Sequence, residues 1–539
     1  MAKESRRWLG LVFISIAVSL IIVDSTIVNV AVPSIVEELD LTSTQVQWVQ
    51  ELYTLVFASL LLLFGSLADR FGRRRVMLIG VAIFAASSVL AGLAPTGELL
   101  ILSRFVQGIG GAMILPTTLS LINSTFRGKE RGIAFAIWGS TIGGMAAVGP
   151  LLGGWLTTAF SWRWAFGINV PLGIIILIGV LLTVAESREK EKQPIDVVGA
   201  VLSVILFGSL VFGLIEGRTY GWWTPEQDLK IGDWTWPLAD VSPIPFAFAL
   251  SALALVAFIW WGVSRRRQGK NSLLEFSLFR ISTFRGGNIA ALVVSLGEFG
   301  VILSLPLWLQ FVLGFDALQV GLVLLALAIG SFFASGVAGS LSQRVPAVSI
   351  VRAGIISEII GVAWVAFIVG PDAAWGWLLP ALFLYGFGVG LATAQLTDLI
   401  LQDVPLELSG QGSGTQSTSR QVGSALGVAI LGTVLFTTTG TALSNSLDDM
   451  DVPAQQRDQV VDAVVGSAGG AIEGLKADPS TAEIGEAAAT AFSDGTRIAA
   501  FTAAGFLVIG LGATLALGRG SRETEDEEAA ASTPATPAA

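Results

Sequence analysis

Fourteen apolar stretches, each about 20 residues or longer, follow one another along the chain and constrain it more than any other feature. They fall near 8–32, 46–68, 76–94, 98–126, 131–158, 164–184, 195–216, 245–264, 286–313, 318–341, 349–369, 375–401, 413–436 and 497–518. A helix rising 1.5 Å per residue needs about 20 such residues to cross a hydrocarbon core about 30 Å thick. In water the same chain would lack a covering: 53% of its 539 residues are hydrophobic and only 13% charged, about half the charged share of a soluble domain. An all-α integral membrane protein with fourteen transmembrane helices is therefore expected. Lys3, Arg6 and Arg7 before the first stretch resemble the start of a secretory signal. That stretch is too long for a signal core, carries Asp24 and leads into further spans, so it is read as an uncleaved first helix.

Basic residues orient the spans. With the N-terminus inside, most of the 31 lysines and arginines fall in inside segments, with Arg70, Arg73, Arg74 and Arg75 in one cluster and Arg265–Arg267 with Lys270 in another. An excess on one side sets topology, so both termini are expected in the cytoplasm of a cell whose inner membrane holds the chain. Topology alone requires such basic turns, and no nucleic-acid partner is inferred from them. Two polar segments remain. The outside segment 437–496, with ten acids against Arg457 and Lys476, is expected to be partly helical or disordered. The tail from Arg519, with Glu523, Glu525, Asp526, Glu527 and Glu528, reads as disordered and solvating. A smaller outside loop, 217–244, carries Trp222, Trp223, Trp234 and Trp236, most simply interfacial aromatics.

The chain has no cysteine and no histidine. Disulfides, thiol catalysis, zinc or haem ligation by these side chains and imidazole relays are excluded, and carboxylates are left for proton chemistry. No metal and no cofactor is expected. No phosphate-binding Gly-x4-Gly-Lys-Ser/Thr string occurs; Gly410-Gln411-Gly412-Ser413-Gly414 lacks the lysine and reads as helix-start or packing glycine. An ATP-driven pump or a membrane enzyme is accordingly the weaker class of function.

An internal repeat organises the spans. Gly65-Ser66-Leu67-Ala68-Asp69-Arg70 at the end of span 2 recurs as Gly339-Ser340-Leu341-Ser342-Gln343-Arg344 at the end of span 10. Gly108 and Gly110 recur as Gly386 and Gly388, and Gly149 and Gly154 as Gly427 and Gly432, in the same order. Spans 1–6 and 9–14 are read as two six-helix bundles, with spans 7 and 8 inserted. The expected units are 1–190, 191–270 for the inserted pair, 271–518 with the acidic segment 437–496, and the tail 519–539. Parallel six-helix repeats place a substrate cavity at the bilayer midplane between halves that rock.

The string Gly65-Ser66-Leu67-Ala68-Asp69-Arg70-Phe71-Gly72-Arg73-Arg74-Arg75 resembles the loop 2–3 signature of the major facilitator superfamily. Gly65 permits close helix approach, Gly72 a tight turn, and Asp69 accepts hydrogen bonds from helix N-termini or arginines. The resemblance makes Gly65, Asp69, Arg70, Gly72 and Arg73 a cytoplasmic latch. Arg104 through Ala112 is similar to the span 4 motif, and Gly143 through Gly149-Pro150-Leu151-Leu152-Gly153-Gly154 to the span 5 motif of proton-coupled exporters. Asp24 through Pro33 resembles the span 1 signature of drug:proton antiporters, and Trp162 through Pro171 the fourteen-span branch. Gly143, Gly149, Pro150, Gly153 and Gly154 are then a hinge at the interface of the halves. The second copy departs where Val428 aligns with Pro150 and Gln343 with Asp69, so neither role transfers there.

Charges inside spans default to function or to pairing. Asp24, Glu51, Arg104, Glu298 and Glu358 are the candidates for proton coupling or substrate binding. Asp24 lies roughly 24 Å from the inner start of span 1 and Arg104 roughly 9 Å from the outer start of span 4, nearly the same depth. Glu51 has a similar level, Glu298 and Glu358 are nearer the middle, and Asp398 has a solvated position as its simplest reading. Trp48, Tyr53, Phe57 and Trp308 offer stacking surfaces for flat compounds or face lipid. The resemblance implies a proton-coupled antiporter, working as a monomer, that exports lipophilic drugs or dyes, cations among them. Export of one endogenous metabolite or lipid in the same fold is the alternative, because a fold does not specify substrate.

Overall fold

A backbone in lipid must satisfy its own hydrogen bonds, and every apolar run of this chain does so as a helix. The computed structural model describes residues 3–41, 43–187, 196–231, 234–238, 240–342 and 344–517. The acidic tail from Arg519 to Ala539, Gln343 and the expected boundary at 190/191 lie outside the described residues. In chain order the helices are α1 (Lys3–Leu39), α2 (Ser43–Phe71), α3 (Arg73–Gly92), α4 (Gly97–Thr125), α5 (Gly128–Ala159), α6 (Arg163–Gly167), α7 (Asn169–Thr183), α8 (Val197–Glu216) and α9 (Pro243–Arg267). They continue with α10 (Ser282–Phe311), α11 (Ala317–Leu341), α12 (Ala347–Ile368), α13 (Leu378–Leu401), α14 (Ser409–Asp449), α15 (Ala454–Gly466), α16 (Ala471–Ala477) and α17 (Ala482–Ala513). Among the described residues thirteen helical segments are long and apolar enough to cross a membrane. They answer to every expected run except 131–158, whose helix α5 nevertheless extends over 32 residues. Leu253, Val256 and Trp260 of α9 and Phe332 and Phe333 of α11 stand exposed, as expected where the solvent is lipid.

Local signals start the helices. Thr96 accepts from the Leu99 amide at α4, Asp196 from the Gly199 amide at α8, and Asp316 with Gln319 forms a reciprocal capping box at α11. In the 217–244 loop Lys230–Ile231 (β1) pairs antiparallel with Trp234–Thr235 (β2). Trp222 there stacks on Phe248 of α9 and Trp236 packs edge-on against Phe246, while Trp223 remains exposed.

One pairing scheme occurs twice. α1 packs on α5 and α7, α4 on α2 and α3, and α3 on α7. In the later chain α10 packs on α14 and α17, α13 on α11 and α12, and α12 on α17. Between the two sets α2 meets α14 and α5 meets α11 and α13, while α8 and α9 pair and α8 leans on α2 and α14.

The acidic segment 437–496 takes the helical one of its two expected states. It is helical over most of its length: α14 runs on to Asp449, α15 and α16 follow, and α17 starts at Ala482. Leu443, Leu447, Val464, Ile472 and Ile484 are buried there, and the Lys476 ammonium reaches the Val312 carbonyl at the end of α10. Hydropathy over a span-length window registers the polar face of such amphipathic extensions and not the buried stripe.

Candidate transport site

Among the described residues three groups of charged side chains inside the bundle hold most of the expected candidates. The first joins α1, α3, α4 and α7. The Arg104 guanidinium donates to Asp24 Oδ2 at 2.6 Å. Gln107 Nε2 and Asn169 Nδ2 both donate to Asp24 Oδ1 at 2.7 Å, and both also donate to the Ser88 hydroxyl, at 2.9 and 3.1 Å. Arg104 further donates to Gln107 Oε1 and to the Val49 carbonyl, and lies over the Tyr53 ring at 4.3 Å. Asp24 is 0% and Arg104 1% exposed, so the pair is cut off from solvent with both carboxylate oxygens engaged. Breaking such a pair by removing one partner costs about 3–5 kcal/mol, because the survivor is left charged and uncompensated.

The second lies among α10, α12 and α14. Glu298 and Glu358 are buried, and Arg420 of α14 donates to Glu298 Oε2 at 3.4 Å. Thr393 donates to Glu298 Oε1 at 3.4 Å, while neither Glu358 oxygen accepts a hydrogen bond. The two acids are electrostatic neighbours of one another and of Arg420. Two carboxyl groups thus face one guanidinium.

The third closes one end of the bundle. The Gly410 and Gln411 amides, the first turn of α14, donate to Asp69 at 2.7 and 2.8 Å. Arg73 donates to the same carboxylate at 2.7 Å and also to the Leu406 carbonyl. Asp69 therefore binds a helix N-terminus and an arginine at once. Gly65 brings α2 against α14: a Cβ there would lie 2.8 Å from Gly414 Cα and overlap the Gly410 carbonyl. Gly72, at φ +108°, turns the chain from α2 into α3. Arg70 lies over the Phe71 ring. Glu186 accepts from the Arg74 and Arg75 amides and so caps α3 from the end of α7. Beside this contact Asn123 donates to Ser409 at 2.8 Å. Arg131 of α5 pairs with Asp398 of α13 at 2.5 Å, so Asp398 is 7% exposed and paired across the two helix sets, not solvated.

Other expected sites move. Gly149 and Gly153 press against Thr26 and Ile27 of α1, which belongs to the same helix set. The face of α5 toward the later helices carries Gly132 and Gly139 instead, where an added Cβ would lie 3.5 Å and 3.0 Å from the Ser342 and Ala394 Cβ atoms. Ten residues of helix separate Gly139 from Gly149, which rotates them roughly 80° apart. Gly154 is part-buried; the side-chain surroundings of Gly143 and Pro150 lie outside the description. Trp308 is fully buried and donates to Ser493 of α17, and Tyr53 and Phe57 stack on each other inside the core, so none of the three is exposed on the lipid-facing surface. Glu51 hydrogen-bonds to Glu216 of α8. Near the opposite end Arg163 pairs with Glu38 at 2.8 Å and holds its carboxyl below the usual range, with the Trp162 indole donating to it as well.

Sequence reasoning misses Arg420 and Glu216, each a charge within or at the edge of an apolar run, and the neutral partners Ser88, Gln107 and Asn169. A search for every ionisable residue inside the runs finds the first two. The neutral amides need depth calculations extended to all polar side chains.

Helices long enough to span lipid, one pairing scheme used twice, buried charges and a closed end are the features of a multi-pass membrane transporter. The chain belongs to the Major Facilitator Superfamily, whose family model matches residues 14–428. It is 33% identical over 463 residues to the puromycin resistance protein pur8 of Streptomyces alboniger, covering 85% of this chain and 87% of that one. With the multidrug efflux pump LfrA of Mycolicibacterium smegmatis it shares 31% over 496 residues, 92% and 91% of the two chains. The crystal structure of the human organic anion transporter MFSD10 has the same fold, at a TM-score of 0.57 and 13% identity over 95% of this chain and 100% of that one.

Proposed function

We propose that the chain is a proton-coupled antiporter that exports lipophilic drug-like or dye-like compounds, cations among them, by alternating access. The observation that carries this reading is the buried group of Glu298, Glu358 and Arg420. Two carboxyls against one guanidinium leave a place for one exchangeable proton, and a substrate cation arriving nearby competes with that proton for the same negative charge. Asp24 and Arg104, saturated by Gln107 and Asn169, hold α1, α3, α4 and α7 together and position the first helix set rather than exchange protons. The names of the relatives, a puromycin resistance protein and a multidrug efflux pump, support the substrate class.

In this reading fourteen spans form two six-helix bundles, 1–190 and 271–518, with α8 and α9 inserted between them. The repeated pairing scheme supports it. The end sealed by Asp69 faces the cytoplasm, where both termini lie, in a cell's inner membrane; the protein works as a monomer. Breaking the Asp69 contacts with Gly410 and Gln411, and the Arg131–Asp398 pair, opens the cytoplasmic side as the bundles rock. Reconstituted vesicles test the coupling. An imposed pH gradient without ATP should drive accumulation of a lipophilic cation, and Glu298→Gln or Glu358→Gln should reduce it at least about tenfold at equal protein. Accumulation that ignores the pH gradient, or that both variants retain, would overturn the reading.

A further inference from the structure

The inserted helices leave a cavity that the central site does not use. A slot of about 550 Å³ lies between α2, α8 and α9, with Phe105 of α4 at its edge. Its walls include Leu55, Val204, Phe212, Phe246 and Leu250, with Ser59 as one of its few polar side chains, and the Ser59 hydroxyl is spent on the Leu55 carbonyl. Phe105, Phe246 and Leu250 stay exposed, so the slot opens sideways to lipid. Its volume is that of a site for a small organic molecule.

Two acids lie just beyond the lining residues Leu52 and Phe212 of this apolar slot. On α8 the wall residues Val204, Gly208 and Phe212 recur every four positions, and the next member of that stripe is Glu216. On α2 the stripe Ser59, Leu55 ends one turn further at Glu51. The two glutamates meet there: Glu216, 1% exposed, shares a hydrogen bond with Glu51 and another with Thr219. A hydrogen bond between two carboxyls requires at least one proton, and when the two share a single proton the pair holds one negative charge. Tyr220 is 1% exposed, stacks on the wall residue Phe212, and its hydroxyl has no hydrogen-bond partner. Both glutamates act electrostatically on that hydroxyl, and burial together with them pushes Tyr220 well above the ordinary phenol range. The arginine of this loop, Arg218, lies over the Phe436 ring of α14 at 3.7 Å and has Glu226 as its acidic neighbour.

We propose that the slot between α2, α8 and α9 binds an amphipathic monovalent cation, its apolar body between Leu55, Phe212 and Phe246 and its charge at the Glu51–Glu216 pair. The site is separate from the Glu298–Glu358 group and admits substrate from the membrane. A lipid acyl chain would match the walls but not the charge at their end, and an anion is repelled by it. The assignment rests on the export of lipophilic cations and names where they enter.

The absence of cysteine gives the test a clean reporter, since Ser209→Cys puts a single thiol in the slot wall. In reconstituted bilayers, tetraphenylphosphonium should slow N-ethylmaleimide labelling of that thiol at least about tenfold, whereas tetraphenylborate, of the same shape and opposite charge, should not. The Glu51→Gln/Glu216→Gln double variant should need about tenfold more cation for half-protection, the loss of one charge-assisted contact. Leu55→Trp, which fills the slot without touching the acids, should abolish protection. Equal protection by tetraphenylborate, no protection by either ion, or unchanged affinity in the double variant would overturn the site. Glu358→Gln separates the two readings: it should abolish transport driven by the pH gradient and leave protection in place. In the parent protein, absence of transport driven by the pH gradient with protection intact refutes the antiport reading alone.

Discussion

Asp24→Asn is the most informative single change, because the partners of Asp24 separate a structural from a transport role. Asparagine keeps the shape but has only one acceptor oxygen. If that oxygen takes the place of Oδ1, it still serves Gln107 and Asn169, and the new amide meets the Arg104 guanidinium, donor against donor, where 2.6 Å now separates them. The reverse orientation satisfies Arg104 and strands the two amides. Either way a guanidinium 1% exposed loses its counter-charge, for which about 3–5 kcal/mol is the expected cost. Thermal unfolding of the detergent-solubilised protein, followed by loss of the monodisperse peak, should shift clearly downward, and less protein should reach the membrane. Removing the charge from both sides, as Asp24→Asn/Arg104→Met, should recover much of the loss, since no buried charge is stranded. An Asp24→Asn protein as stable as the parent, with pH-dependent transport abolished, would refute this reasoning and put Asp24 in the proton path.

The latch end offers two further tests. Gly65→Ala places a methyl against Gly410 and Gly414 and should hold α2 and α14 apart, so that a cysteine pair across that end cross-links more slowly than in the parent; unchanged cross-linking would show that the helices shift without effect. Asp69→Asn loses one of the two acceptor oxygens serving α14 and strips buried Arg73 of its counter-charge, so it should lower stability as well, and transport in vesicles should still be slower than the parent's when compared at equal inserted protein. Replacing 451–481 by a short flexible linker should lower the unfolding temperature, because Val464 and Ile472 leave buried positions; an unaltered temperature would mean that α15 and α16 contribute nothing to the fold.

Much of the architecture is legible without coordinates because lipid removes alternatives. An apolar run of span length has few ways to satisfy its backbone other than as a helix, so the expected runs 76–94 and 98–126 match α3 and α4 to within a few residues. The latch is legible for a related reason: Asp69 and two glycines stand where topology asks only for basic residues. Segment 437–496 is not legible, since its helices bury one stripe and expose an acidic face, and mean hydropathy averages the two. The glycines of α5 show a second limit. Small residues announce that another helix comes close, but which helix depends on the rotation of α5, and Gly149 and Gly153 turn out to face α1.

The sequence by itself determined the solvent, the helical state of the spans, the duplicated order of motifs and the short inventory of ionisable groups inside them. Tertiary structure alone decided how those groups are partnered. Asp24 finds Gln107 and Asn169, Glu298 and Glu358 find a shared Arg420, and Glu51 finds Glu216 on an inserted helix. Each partner comes from a helix distant along the chain. Its side chain reaches the acid only after packing sets the depth and rotation of both helices, and a one-dimensional pattern of apolar runs does not encode that rotation.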